Sequence, residues 1–122
     1  MKIKKELKKS EKALAKLLSS DDMKTLCFPV AGKEVMLVFL DGLTDKQAIG
    51  RQIMLPVKTL EEVSLESLEG CILEPELKRL STYEEIRQEV LLGHTVVLAE
   101  GLDGAVSAAA KKFEVRSVAE PP

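Results

Sequence analysis

Apolar and polar positions follow two rhythms along this chain, and the changes between them mark its elements. Over residues 2–19, Ile3, Leu7, Ser10, Leu14 and Leu17 recur at alternating spacings of four and three. That is one narrow helical stripe with a serine in it and lysines on the other faces. Ser19-Ser20-Asp21-Asp22 ends the helix. The rhythm then shortens: the apolar runs Leu26–Val30 and Val35–Leu40 flank Ala31-Gly32-Lys33, a hairpin signature in which Gly supplies the turn. Pro29 has no N–H to give a ladder, so the first strand belongs at a sheet edge. The second is apolar on successive residues, which predicts a central strand covered on both faces.

Asp41-Gly42 breaks the chain, and Thr44 stands where an N-cap would open a helix running to about Leu55, with Pro56 as its stop. Residues 57–80 are the least patterned. Thr59-Leu60-Glu61-Glu62 suits the start of a short helix through Leu68 with Gly70 after it, Pro75 argues against a long helix across 70–80, and a short strand fits Leu77–Leu80. Ser81/Glu84 and Thr82/Glu85 both carry capping-box spacing, so a helix starts here in either register, with Ile86, Val90 and Leu91 as its stripe and Gly93 as its left-handed end. Thr95–Ala99 and Ala105–Ala109 form a second hairpin, and Phe113–Val118 suits one more short strand. Together these predict an α+β fold: one mixed or antiparallel β-sheet covered by helices, with an N-terminal amphipathic helix. The expected organisation is a basic helix over 1–20, an α+β subdomain over 21–118, and the start of a linker to a second subdomain at 119–122.

Composition narrows the chemistry. Among 122 residues, 45% are hydrophobic but 3% aromatic, with no Trp, so the core is aliphatic and no stacking platform for bases is indicated. Residues 1–16 hold seven Lys and two Glu, a charge of +5; with a total of −2, the remainder carries −7. Only the N-terminal arm is basic, which does not make a nucleic-acid footprint. The longest apolar run, Val35–Leu40, is far short of a membrane span. Cys27 and Cys71 lack metal-ligand spacing and read as two buried thiols, with a disulfide left open by sequence.

No catalytic, cofactor-binding or metal constellation emerges, and no ligand-binding residue can be assigned. His94 is the only histidine; its place after Gly93 suits a helix C-terminus. Asp41-Gly42 and Asp103-Gly104 each follow an apolar strand and are turn dipeptides before they are paired carboxylates. The glycines form no phosphate-cradling motif. Three function classes can be set side by side: an assembly and signalling module, a small-ligand domain with a pocket beside the two Asp-Gly turns, and a free-standing enzyme, which has the least support.

Three pieces in order carry a family resemblance. Val35–Leu40 runs into Asp41-Gly42-Leu43-Thr44-Asp45; a helix ends in Leu-Leu-Gly-His-Thr-Val-Val-Leu-Ala-Glu-Gly at 91–101; and Arg116-Ser117-Val118-Ala119-Glu120-Pro121-Pro122 follows. Over roughly 26–55 and 82–122 this resembles the N-terminal region of the A subunit of spore germinant receptors, the GerA family, which includes stage V sporulation protein AF. The resemblance implies a non-enzymatic assembly or signal-relay module of a channel-forming membrane subunit acting in nutrient-triggered germination. It implies other receptor subunits and further A subunits as partners, without nucleic acid, and membrane contact only through downstream helices. It also implies placement at the spore inner membrane, with this domain facing the cytoplasm or spore core. The closing Arg116–Pro122 stretch is expected to act as a linker toward a further subdomain.

Overall fold

Two runs of alternating side chains, one on β2 and one on β4, explain the architecture of the domain. The computed structural model describes residues 1–18, 22–74 and 76–109. Strands β1 (Met23–Val30), β2 (Lys33–Leu40), β3 (Leu77–Leu80), β4 (Thr95–Ala99) and β5 (Ala105–Ala108) form one sheet in the order β1-β2-β4-β5-β3. Every neighbouring pair is antiparallel. On β2, Val35, Leu37 and Phe39 join one buried cluster while Met36, Val38 and Leu40 join another. Strand β4 divides in the same way, with Val97 and Ala99 on the first face and Val96 and Leu98 on the second. A run apolar on every residue thus becomes a strand with two covered faces.

The first face is covered by α2 (Lys46–Ala48), a π-helical segment (Ile49–Met54), α3 (Leu55–Lys58) and α4 (Leu65–Cys71). The second is covered by α1 (Leu7–Leu18) and α5 (Tyr83–Leu91). As expected, β1 lies at an edge. Its hairpin closes on the pair Val30–Lys33, and Asp41 N–H donates to Asp22 C=O at 2.8 Å, so the even-numbered residues of β1 bond to β2. Pro29 therefore turns outward, where its missing N–H costs the ladder nothing. The opposite edge, β3, is short and carries Lys78 and Arg79, which disfavours pairing with another sheet.

Local expectations needed several corrections. The first helix begins at Leu7 and not at residue 2. Before it the chain is extended: Lys2 bridges to Thr82, and Ile3 N–H donates to Ser81 C=O at 3.0 Å. Buried Ile3 sits on the stripe in sequence, but it reaches the core from an extended segment. Asp45, not Thr44, caps α2, accepting from the amides of Gln47 and Ala48, while the Thr44 hydroxyl turns back to Leu40 C=O. Pro56 does not stop the helical path, which continues through α3 to Lys58. A proline deprives the carbonyl four residues earlier of its donor. Here that carbonyl, Gln52 C=O, accepts from Leu73 N–H at 2.8 Å, and the preceding turn widens to π spacing. In the weakly patterned stretch, Ser64 and Ser67 cap α4 reciprocally and Gly70 lies inside it, whereas β3 matches its expected bounds.

The α5 start resolves to the Thr82/Glu85 capping box, with the Glu85 carboxylate also accepting from Ser81 N–H. Gly93 has φ +92°, the left-handed end its position called for. Residues 19–21, where the first helix was expected to end, Pro75, and the strand and linker expected over 113–122 lie outside the described residues.

One glycine is fixed by space and not by φ. A Cβ on Gly104 would stand 3.0 Å from Leu65 Cδ1 and 3.2 Å from the carbonyl oxygen of Leu80. The leucine tip can yield, but the β3 backbone is held by its pairing with β5. Gly104→Ala is therefore expected to cost about 1–3 kcal/mol through forced backbone shifts. Chemical denaturation would measure it, and an unchanged midpoint would refute it.

Candidate functional site

Helix α5 carries Tyr83, Ile86, Glu89 and Val90 on its buried stripe. A carboxylate there must be satisfied inside the fold. Glu89 Oε1 accepts from Ser107 Oγ at 2.6 Å and lies 2.7 Å from His94 Nδ1, and Lys78 Nζ is 3.7 Å from Oε2. Burial would raise this carboxyl's pKa, but the hydrogen bonds from Ser107 and His94, with the charges of His94 and Lys78, hold it below the ordinary value. Hydroxyl, imidazole and carboxylate resemble a hydrolase triad in composition only. In such a triad the imidazole stands between acid and nucleophile; here hydroxyl and imidazole meet the same carboxylate oxygen. Both groups are thus bonded to Glu89, and no hydrogen bond joins His94 to the Ser107 hydroxyl among the described residues. The cluster ties α5 to β5 and β3. His94 does follow a helix C-terminus, as its sequence position suggested, but its main partner, Glu89, was missed. The signal available was a glutamate three residues beyond Ile86 on an apolar stripe.

The two Asp-Gly turns are not brought together. Val38 pairs with Val96 and Val35 with Ala99, so Asp41 lies at the end of the sheet where β4 begins and Asp103 beyond the end where β4 stops. One pocket cannot sit beside both. Asp41 is engaged by Lys46 Nζ at 2.9 Å, and that hydrogen bond lowers its carboxyl pKa.

The cysteines also differ from expectation. Cys27 is exposed on β1 and Cys71 half-buried, and both are free thiols. The side chain at 27 lies on the outer strand, which has only one neighbour to cover it. Local burial raises both thiol pKa values, with Glu34 and Glu11 adding to the effect at Cys27, which disfavours the nucleophilic thiolate. Among the described residues, no three His, Cys, Asp or Glu side chains are placed to hold a metal ion.

The more open feature is a groove of about 420 Å³ between α1 and the start of α5. Its wall is mostly apolar, from Ala13, Leu17 and Tyr83; Lys9, Lys12 and Lys16 line the α1 side, and Glu84 and Met1 complete it. Spacings of three and four place the three lysines on one helical line. Among the described residues Lys9 has one loose partner, Glu6 at 3.9 Å, while Lys12 and Lys16 pair with no carboxylate. Glu84 is held by the Met1 amine at 2.6 Å, and that hydrogen bond lowers its carboxyl pKa.

Tyr83 fixes the groove to the fold. Its hydroxyl accepts from Lys4 N–H at 2.9 Å and lies 2.8 Å from Ser10 Oγ, a buried contact. This accounts for the serine in the apolar stripe of α1. At the far end, Arg87 Nε donates to Leu17 C=O at 3.3 Å.

Comparison with known proteins agrees with this architecture. The family model described as Bacillus/Clostridium GerA spore germination protein matches residues 3–122. Spore germination protein B1 of Bacillus subtilis (strain 168) is 29% identical over 128 residues, covering 99% of this chain and 26% of that protein. The chain thus spans about a quarter of that relative's length. In fold it is similar to the N-terminal domain of the A subunit of the Bacillus megaterium spore germinant receptor GerK3, with a TM-score of 0.70 at 13% identity, covering 93% of this chain and 99% of that one. Among the described residues no helix is long and apolar enough to cross a membrane.

Proposed function

Because the chain belongs to the Bacillus/Clostridium GerA family of spore germination proteins, we propose that it is a non-enzymatic assembly and signal-relay module of a germinant receptor A subunit. The observation that carries this reading is the division of labour between its two polar features. Glu89, His94 and Ser107 are spent as internal ties, whereas the α1–α5 groove offers an apolar wall and two lysines, Lys12 and Lys16, that pair with no carboxylate among the described residues. An apolar wall rimmed by lysines suits a protein segment, which can meet both at once. Tyr83 lines the groove and also bonds the N-terminal segment and α1. An occupant's contact energy can therefore pass through Tyr83 into the helix layer and the sheet face below it.

On this reading the partners are other receptor subunits and further copies of the A subunit. The parent protein sits in the spore inner membrane, with this domain on the cytoplasmic, core-facing side. The test is to fill the groove in the full-length protein with Ala13→Trp and measure nutrient-triggered germination of spores that depend on that receptor. The response should fall sharply while the protein accumulates normally and the isolated domain keeps its circular-dichroism spectrum. A normal response with the groove filled would remove the basis of the proposal.

A further inference from the structure

On the reading of this domain as an assembly module, we infer that the α1–α5 groove receives an acidic amphipathic helix of a partner protein. Three features select that occupant. The first is shape: Ala13 and Leu17 line a cleft between two helices, so apolar contact requires something that inserts. Apolar side chains at helical spacing on a partner helix do this; a flat bilayer surface does not. The second is the arrangement of charge. Lys9 and Lys16, with Lys12 between them, stand seven residue steps apart on α1, about 10 Å at 1.5 Å per residue. A helix lying alongside presents carboxylates at the same interval. The third is availability: Lys12 and Lys16 have no internal carboxylate among the described residues, so a partner does not have to break an existing pair. Glu84, across from the lysines, is the one acidic group lining the groove. Its charge is met by the Met1 amine, so the lysine line of α1 decides which flank of the incoming helix faces α1.

A polyanion such as RNA fits less well. Phosphate contacts would use the lysines but leave the apolar wall idle, and the groove's one aromatic residue, Tyr83, is only 1% exposed.

The test uses the whole chain and a labelled synthetic helical peptide with leucines at core spacing flanked by glutamates. A counterpart with lysines for the glutamates serves as control, and phosphatidylglycerol–phosphatidylcholine vesicles serve as the membrane arm. Fluorescence anisotropy should show saturable binding of the acidic peptide and little of the basic one. The Lys12→Glu/Lys16→Glu double variant changes only exposed side chains and should retain the fold. It should weaken the acidic peptide roughly 5- to 20-fold and gain affinity for the basic peptide. Ala13→Trp should weaken the acidic peptide regardless of charge. Equal binding of both peptides, no saturable binding of the acidic one, or binding to vesicles in preference to it would each overturn the inference.

Spores separate this inference from the function on which it rests. If Ala13→Trp in the full-length protein abolishes the nutrient response while Lys12→Glu/Lys16→Glu leaves it intact, the acidic-helix inference fails and the assembly role stands. If Ala13→Trp has no effect, the assembly role fails as well.

Discussion

Tyr83→Ala should lower the unfolding free energy by about 3–5 kcal/mol, the range for truncating a large buried aromatic side chain. A domain of this size has about 5–15 kcal/mol in total, so the variant should be partly unfolded well below the wild-type transition. The size of the effect follows from the residue's position. Tyr83 is 1% exposed, packs with Leu14, Ile86 and Leu98 in the cluster under α1 and α5, and binds Lys4 and Ser10 through its hydroxyl. Tyr83→Phe separates the two contributions. It keeps the ring but strands the Lys4 N–H and leaves Ser10 with only its 3.4 Å bond to Lys4 C=O, at a cost of about 1–3 kcal/mol. Adding Ser10→Ala to Tyr83→Phe should cost less than the sum of the two single changes, because one group left poorly satisfied has gone. Urea unfolding of the four proteins measures this coupling; strict additivity would mean that the hydroxyl pair contributes nothing.

What could be read from sequence divides according to the range of the interaction. Val35–Leu40 announced a central strand because burial of both faces leaves a mark on every residue. Thr82/Glu85 and Gly93 announced the limits of α5 because capping and a left-handed end act within a few positions. The misses depended on partners far away in the chain. Ile3 continues the helical stripe, and only the distant Ser81 carbonyl draws its backbone into an extended path. Pro56 is a sound stop signal in isolation, and only Leu73 N–H, arriving from beyond α4, satisfies the Gln52 carbonyl that proline leaves open. Thr44 and Asp45 are both good caps; the choice fell to Asp45 because Leu40 C=O engages the threonine hydroxyl. The lysine line of the groove was visible as a basic face on the first helix. Its apolar wall was not, since Tyr83 meets Ala13 and Leu17 only after the sheet has brought α1 beside α5.

Replacing Glu89 with Gln should alter both the stability of the domain and its response to acid. The wild-type carboxylate is nearly buried, yet it is charged because Ser107, His94 and Lys78 surround it. Its pKa in the folded chain lies below the ordinary value of 4.5. For a carboxyl depressed by folding, the native state binds its proton less readily than the unfolded state does. The stabilisation is therefore fully present above the unfolded value of 4.5, shrinks as pH falls through the lower folded value, and is gone below both. Glutamine keeps the shape and one acceptor but removes the charge, and its amide group brings a donor toward the ring nitrogen and hydroxyl that the carboxylate served. Near neutral pH the variant should lose about 1–3 kcal/mol, the usual cost of weakening charge-assisted bonds to a buried group. Below pH 4.5 the wild-type and Glu89→Gln curves should converge, since protonation then takes from the wild type what the substitution has already removed. Ser107→Ala tests the same ties from the other side: losing the 2.6 Å donor should bring the folded carboxyl's pKa back toward its ordinary value and narrow the acid-sensitive window. Unfolding curves measured across this pH range decide the matter. If wild type and Glu89→Gln stay parallel down to the lowest pH at which both are folded, the Glu89 charge does not hold α5 to the sheet.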